Sequence, residues 1–118
     1  MSHVLMWRAA DAGGAVSPHR IVKYGDGDGK VVQSTAAADA HIGVSGRGPA
    51  ASGARVEIAR TGIADIEYGA NVARGALLTA DGDGKAVTAA DGNRVIGIAE
   101  VSGAAGDIGQ VLLAPGLH

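Results

Sequence analysis

Apolar and polar positions in this chain alternate in short bursts rather than in long helical runs. Residues 55–60 set Val56 and Ile58 on one face and Arg55 and Glu57 on the other, the period of two expected of a half-buried strand. Residues 63–68 do the same, with Ala64, Ile66 and Tyr68 opposite Ile63, Asp65 and Glu67. Residues 20–24, RIVKY, form a β-branched run stopped by Gly25. Shorter runs at 31–34, 42–44, 77–79, 86–88, 95–101 and 110–114 complete the predicted strands. The last is continuously apolar, which predicts burial on both faces. Residues 36–41 read as a loop or one helical turn, 45–53 as a loop, and Thr61-Gly62 as a turn. Residues 1–17 read as a flexible arm: the patch Val4-Leu5-Met6-Trp7, then a stretch with two adjacent glycines, closed by Ser17-Pro18. Short strands and frequent Gly and Asp turns, with no sustained helical period, predict an all-β fold.

The pattern repeats. Asp26-Gly-Asp-Gly-Lys30 returns as Asp81-Gly-Asp-Gly-Lys85, and Ala37-Ala38-Asp39 as Ala89-Ala90-Asp91. Ile42-Gly43-Val44 returns as Ile96-Gly97-Ile98. Downstream, residues 54–59 resemble residues 109–114. Self-similarity at a fixed spacing reframes every local assignment. Two copies point to one pseudo-symmetric domain over residues 18–118, with repeats spanning about 20–62 and 76–116. The expected fold is a small single-domain β-barrel or sandwich of short strands. It is built from two related β-hairpin units and carries an extended N-terminal arm.

Composition narrows the picture. With 118 residues, 20 glycines, one Trp, two Tyr and no Phe, the chain has little large apolar material for a core. Domains of this kind gain from association with neighbours. A net charge of −2 gives no basic footprint for nucleic acid. The absence of Cys excludes disulfides and thiolate chemistry. The apolar patch at residues 4–7 is too short for a signal peptide, and no run approaches a membrane span.

Candidate chemistry is sparse. DGDGK resembles the start of a calcium loop, but Lys30 and Lys85 stand where a third ligand belongs, and Ala37 and Gly92 stand at the twelfth position. The expectation is a hairpin turn and no metal. His3, His19, His41 and His118 show no metal-ligand spacing, which predicts solvated loop histidines. No nucleophile elbow or phosphate loop occurs, so neither catalytic residues nor a cofactor site are expected. Trp7 is the odd residue. Either its arm folds back onto the domain, or Val4, Leu5, Trp7 and Arg8 contact a partner chain, for instance by strand addition.

One ordered series of motifs goes further. Residues 20–25 (RIVKYG), 28–33 (DGKVVQ), 35–39, 42–45 (IGVS), 62–69 (GIADIEYG), 77–81 (LLTAD) and 96–100 (IGIAE) resemble, in that order, the tailed-phage capsid decoration or head cement proteins. The resemblance runs from about Arg20 to Pro115. It implies a structural virion protein that binds the outer surface of a phage head. Its partners would be the major capsid protein and itself, as a homotrimer at three-fold positions, with neither nucleic acid nor membrane. It would be made in the host cytoplasm and end on the capsid surface. The family brings no catalytic residues, and its N-terminal arm is variable, so the resemblance adds nothing to Trp7. Two alternatives stay open: another phage structural or receptor-binding module, and a biotinyl- or lipoyl-type carrier domain presenting Lys30 or Lys85.

Overall fold

The computed structural model describes residues 3–25, 29–37, 39, 41–46, 51–90 and 92–117, with only the backbone described for 3–9 and 115–117. Among them are nine strands and no helix: β1 (His3–Ala12), β2 (Ile21–Tyr24), β3 (Lys30–Gln33), β4 (His41–Ser45), β5 (Arg55–Glu67), β6 (Leu77–Ala80), β7 (Ala86–Thr88), β8 (Arg94–Ala99) and β9 (Ile108–Leu117). The order across the sheet is β1-β3-β2-β4-β5-β9-β8-β6-β7, with β1 also paired to β5. That extra pairing closes β1, β3, β2, β4 and β5 into a five-stranded barrel. Closure removes the open edges that would otherwise invite association.

The residues expected to form a flexible arm are extended over His3–Ala12, where they form β1 and lie antiparallel on β5. A strand edge on β5 with unpaired N–H and C=O groups would be costly if left dry, and β1 satisfies it. Thr61-Gly62 is not a turn. β5 runs through it without a break, and Gly62 takes φ 93°, the left-handed conformation a glycine adopts without steric cost. Both flanks of β5 have partners, β1 and β4 on the first half and β9 on the second, so tertiary pairing overrides the local turn signal.

The repeat is real and larger than the sequence shows. Ile21 pairs with Val44 and Val22 with Gly43, while Leu77 pairs with Ile98 and Leu78 with Gly97. Val44 pairs with Ala59, and Ile98 with Leu112. Ala12 N–H donates to the Ala54 carbonyl at 2.8 Å, and Tyr68 N–H to the Asp107 carbonyl at 2.8 Å. So β1 in the first unit matches the second half of β5 in the second. The strand β5 therefore ends one unit and begins the next. A parallel bridge, Tyr68 to Ala86, stands where Ala12 pairs with Val31, so the second unit repeats the ring.

These registers align Arg55 with Ile108, two residues away from the match of residue 54 with residue 109 that sequence suggests. A shift of two preserves the in–out alternation of a strand, so the apolar pattern alone could not fix it. The middle strands run close together at Gly43 and Gly97. An added Cβ at Gly43 would collide with Ile58 and the Ala59 carbonyl, and one at Gly97 with Val111 and the Leu112 carbonyl.

Two cores result. The first ring encloses Ala12, Val16, Val22, Val31, Ile42, Val56 and Ile58. The second cluster holds Ile66, Tyr68, Leu78, Ile96 and Val111, together with Ile21, Val44 and Ala59 from the first unit. Every residue of β4 is consequently buried, on both faces.

Candidate functional site

Of the residues singled out as partner contacts, Val4 lies opposite Gly62, Trp7 opposite Ala59 and Arg8 opposite Ile58, all within the same chain. The register shifts between Val4 and Met6 and again between Met6 and Trp7, with Leu5 inside the first shift. Such bulges twist a strand and re-aim its side chains.

The histidines divide. His41 is not a loop residue: it begins β4 and is 6% exposed. Its Nδ1 lies 3.0 Å from Ser34 Oγ and its Nε2 3.3 Å from Thr79 Oγ1, while Thr79 Oγ1 donates to the Ala37 carbonyl at 3.2 Å. Burial holds the imidazole below its usual pKa, with Arg94 and Lys23 adding to that and Asp39 opposing it. The seam joins the units, and its Thr79 comes from β6, which no local motif around His41 could announce. His19 Nδ1 lies 3.2 Å from the Asp65 carbonyl. His3 lies in β1 with its side chain outside the described residues, as is the whole of His118.

A second seam is ionic. Glu67 Oε1 lies 3.1 Å from Arg20 Nη2, and its Oε2 lies 3.2 Å from Lys85 Nζ. Burial pushes the Glu67 carboxyl up, but hydrogen bonds and charge from Arg20 and Lys85 outweigh it and hold it below the usual range. Asp39 is likewise lowered: backbone N–H groups of Thr35 and Ala36 and the Lys23 ammonium overcome its desolvation. Lys85 is therefore engaged in an ion pair at the end of its hairpin.

The two DGDGK segments do lie in hairpins, β2–β3 and β6–β7. Asp26, Gly27 and Asp28 lie outside the described residues. In the second copy, Asp81 Oδ1 accepts the N–H groups of Asp83 at 2.8 Å and Lys85 at 3.0 Å, a side chain closing its own turn. This turn docks on the first unit. The Asp83 carbonyl accepts from Gln33 Nε2 at 2.8 Å and Arg20 Nη1 at 3.2 Å, and the Gly84 carbonyl accepts from Ile21 N–H at 2.8 Å. Among the described residues, no cluster of three or more His, Asp or Glu is placed to hold a metal ion.

Two apolar surfaces stand out among the described residues. At the mouth of the first ring a cavity of about 260 Å³ is floored by Val31, Ile42 and Ile58, with Tyr24, Lys30 and Arg60 at its rim. On the outer face of the second unit, Ile63, Leu112, Ile98 and Leu77 stand in one cross-strand row over β5, β9, β8 and β6. Leu112 is 39% exposed, which corrects the expectation that residues 110–114 are buried on both faces: Val111 points in and Leu112 out. Ile108 and Val101 are exposed as well. An unbroken apolar run in the sequence hid this row, because it carried no alternation to reveal an outward side.

A family model described as phage cement protein matches residues 4–114. Among solved structures, the head fiber gp8.5 N base of bacteriophage phi29 has a similar fold, with a TM-score of 0.69 at 22% identity, over 92% of this chain and 93% of that one. No curated protein sequence matches the chain.

Proposed function

The chain belongs to the phage cement protein family, a phage head structural protein, and from that membership we propose that it coats the outside of the head and stabilises the coat lattice. In this reading it binds the major capsid protein as a homotrimer at three-fold positions and holds neighbouring coat subunits together against internal pressure. The observation that carries the reading is the match over residues 4–114, which spans both units, the whole of β2 to β8 and most of β1 and β9. The physical character of the molecule supports it. The cores are built mostly of small aliphatic residues and the second unit exposes Val101, Ile108 and Leu112, and binding that selects the folded state adds to a modest intrinsic stability. Many equivalent sites on one head let a modest contact suffice. Val4, Leu5, Trp7 and Arg8 on the bulged part of β1 are the proposed coat contacts.

Co-sedimentation with phage heads stripped of decoration tests this. The protein is expected to pellet with the heads at a fixed ratio to coat protein and to raise the temperature at which they release DNA. Trp7→Ala and Arg8→Ala should weaken pelleting without unfolding the chain. Failure of the wild-type protein to bind expanded heads would overturn the reading.

A further inference from the structure

The two units meet head to tail, and that meeting leaves half of itself unused at each end of the molecule. In the first unit the outward row is Ile21, Val44 and Ala59, all at most 1% exposed. It is buried in one cluster with Ala80, Ala86, Ile96 and Val111 of the second ring, and Ile21 N–H donates to the Gly84 carbonyl there. The outward row of the first unit is thus seated on the mouth of the second ring. The pairing registers supply the counterparts. The row repeats in the second unit as Leu77, Ile98 and Leu112, of which Leu112 is exposed and Leu77 and Ile98 are half-buried. The mouth repeats in the first unit, where Tyr24, Val31, Ile42 and Ile58 replace Ala80, Ala86, Ile96 and Val111, and there it is the open cavity of about 260 Å³.

We propose that these two unused surfaces meet between copies of this chain: the Leu77–Ile98–Leu112 row of one copy seats in the first-ring mouth of the next. The contact already made inside the chain is the precedent for a row of this backbone placement seated on such a mouth, here with larger side chains on the row and at the mouth. The charges agree with it. Lys30 and Arg60 stand at the mouth, while Asp65 lies on β5 two positions along from Ile63, and Glu100 lies two positions along from Ile98, just past the end of β8. A contact between two different patches is heterologous, so identical copies joined by it close into a ring or run on as a filament. A ring is the form that fits a three-fold site. The inference rests on the self-association part of the proposed function and is independent of coat binding.

Sedimentation velocity of the free protein over a wide concentration range tests it. The wild-type chain should form a closed oligomer. Leu112→Asp changes an exposed residue and should weaken association by about a hundredfold or more, because it buries an unpaired charge. Lys30→Glu/Arg60→Glu, altering rim residues, should do the same. Circular dichroism and thermal melting are expected to show both variants folded. Mixed together, the two should form a one-to-one dimer and nothing larger, since each retains only one working surface. A wild-type monomer at every concentration overturns the contact. A wild-type oligomer that Leu112→Asp leaves intact overturns this contact but not the oligomer. Two folded, monomeric variants that fail to dimerise overturn its head-to-tail character.

Discussion

Gly29 and Gly84 occupy the same place in the two DGDGK hairpins, with φ of 77° and 74°. Their surroundings are opposite. A Cβ at Gly29 would meet nothing within 4 Å, whereas one at Gly84 would meet Gln33 Cγ at 2.8 Å, the Ser34 carbonyl at 3.1 Å and the Ile21 carbonyl at 3.2 Å. One hairpin end faces outward at the mouth of the first ring; the other is part of the joint between the units. A similar divergence runs through the cores. Ala12 and Val56 in the first ring are replaced by Tyr68 and Gly109 in the second. The large ring of Tyr68 occupies the space a side chain at 109 would need, and its hydroxyl donates to the Val101 carbonyl at 2.7 Å. Duplicated sequence specifies a common backbone, and position within the molecule decides which copy becomes joint and which becomes surface.

The largest expected effect comes from exchanging these solutions. Tyr68→Ala should cost about 3–5 kcal/mol in urea unfolding, as truncation of a buried aromatic does. Adding Gly109→Val, which imports the first unit's pair, should restore part of that loss. A double variant no more stable than Tyr68→Ala would show that the cores are not interchangeable in this way.

Next is the hairpin pair. Gly29→Ala should cost about 1 kcal/mol, from backbone conformation alone. Gly84→Ala carries that same strain plus overpacking against β2, for about 2–4 kcal/mol in total. Equal midpoints in denaturant titrations would contradict the docking of the second turn.

The polar seam predicts a pH dependence. His41 has a folded pKa below its unfolded value of about 6.5. Its contribution is therefore complete above that pH and is lost as the pH falls, because the unfolded chain takes up the proton first. Thermal melts should decline from pH 7 towards 5, and His41→Gln should flatten that slope. Glu67, also lowered, contributes above about pH 4.3 and loses its share only on further acidification. The smallest effect belongs to this residue near neutral pH. Glu67→Gln should cost about 0.5–1 kcal/mol, falling further in high salt, since the pair with Arg20 and Lys85 is partly open to solvent. A loss that salt does not change would mean the seam is held by packing instead.

Much of this molecule was legible in its sequence. Period-two alternation, β-branched runs and Asp-Gly turns announced a fold of short strands, because those signals are local. The repeated Ile-Gly-Val and Ile-Gly-Ile motifs announced equivalent central strands, and their glycines sit where neighbouring backbones pass too closely for a side chain. The ordered motifs also pointed to the family that residues 4–114 then matched. What stayed hidden depends on pairing between distant segments. Nothing near residues 3–12 says that they lie on β5, nothing at Thr61-Gly62 says that the strand continues, and nothing around His41 names Thr79. The two-residue offset of the last strands was invisible because alternation has a period of two. Above all, Leu112 and Ala59 hold equivalent positions, yet one stands on the surface and the other in the core. A residue's pattern determines which face of its strand it occupies. Only tertiary structure decides what lies against that face, because the covering surface comes from the other unit.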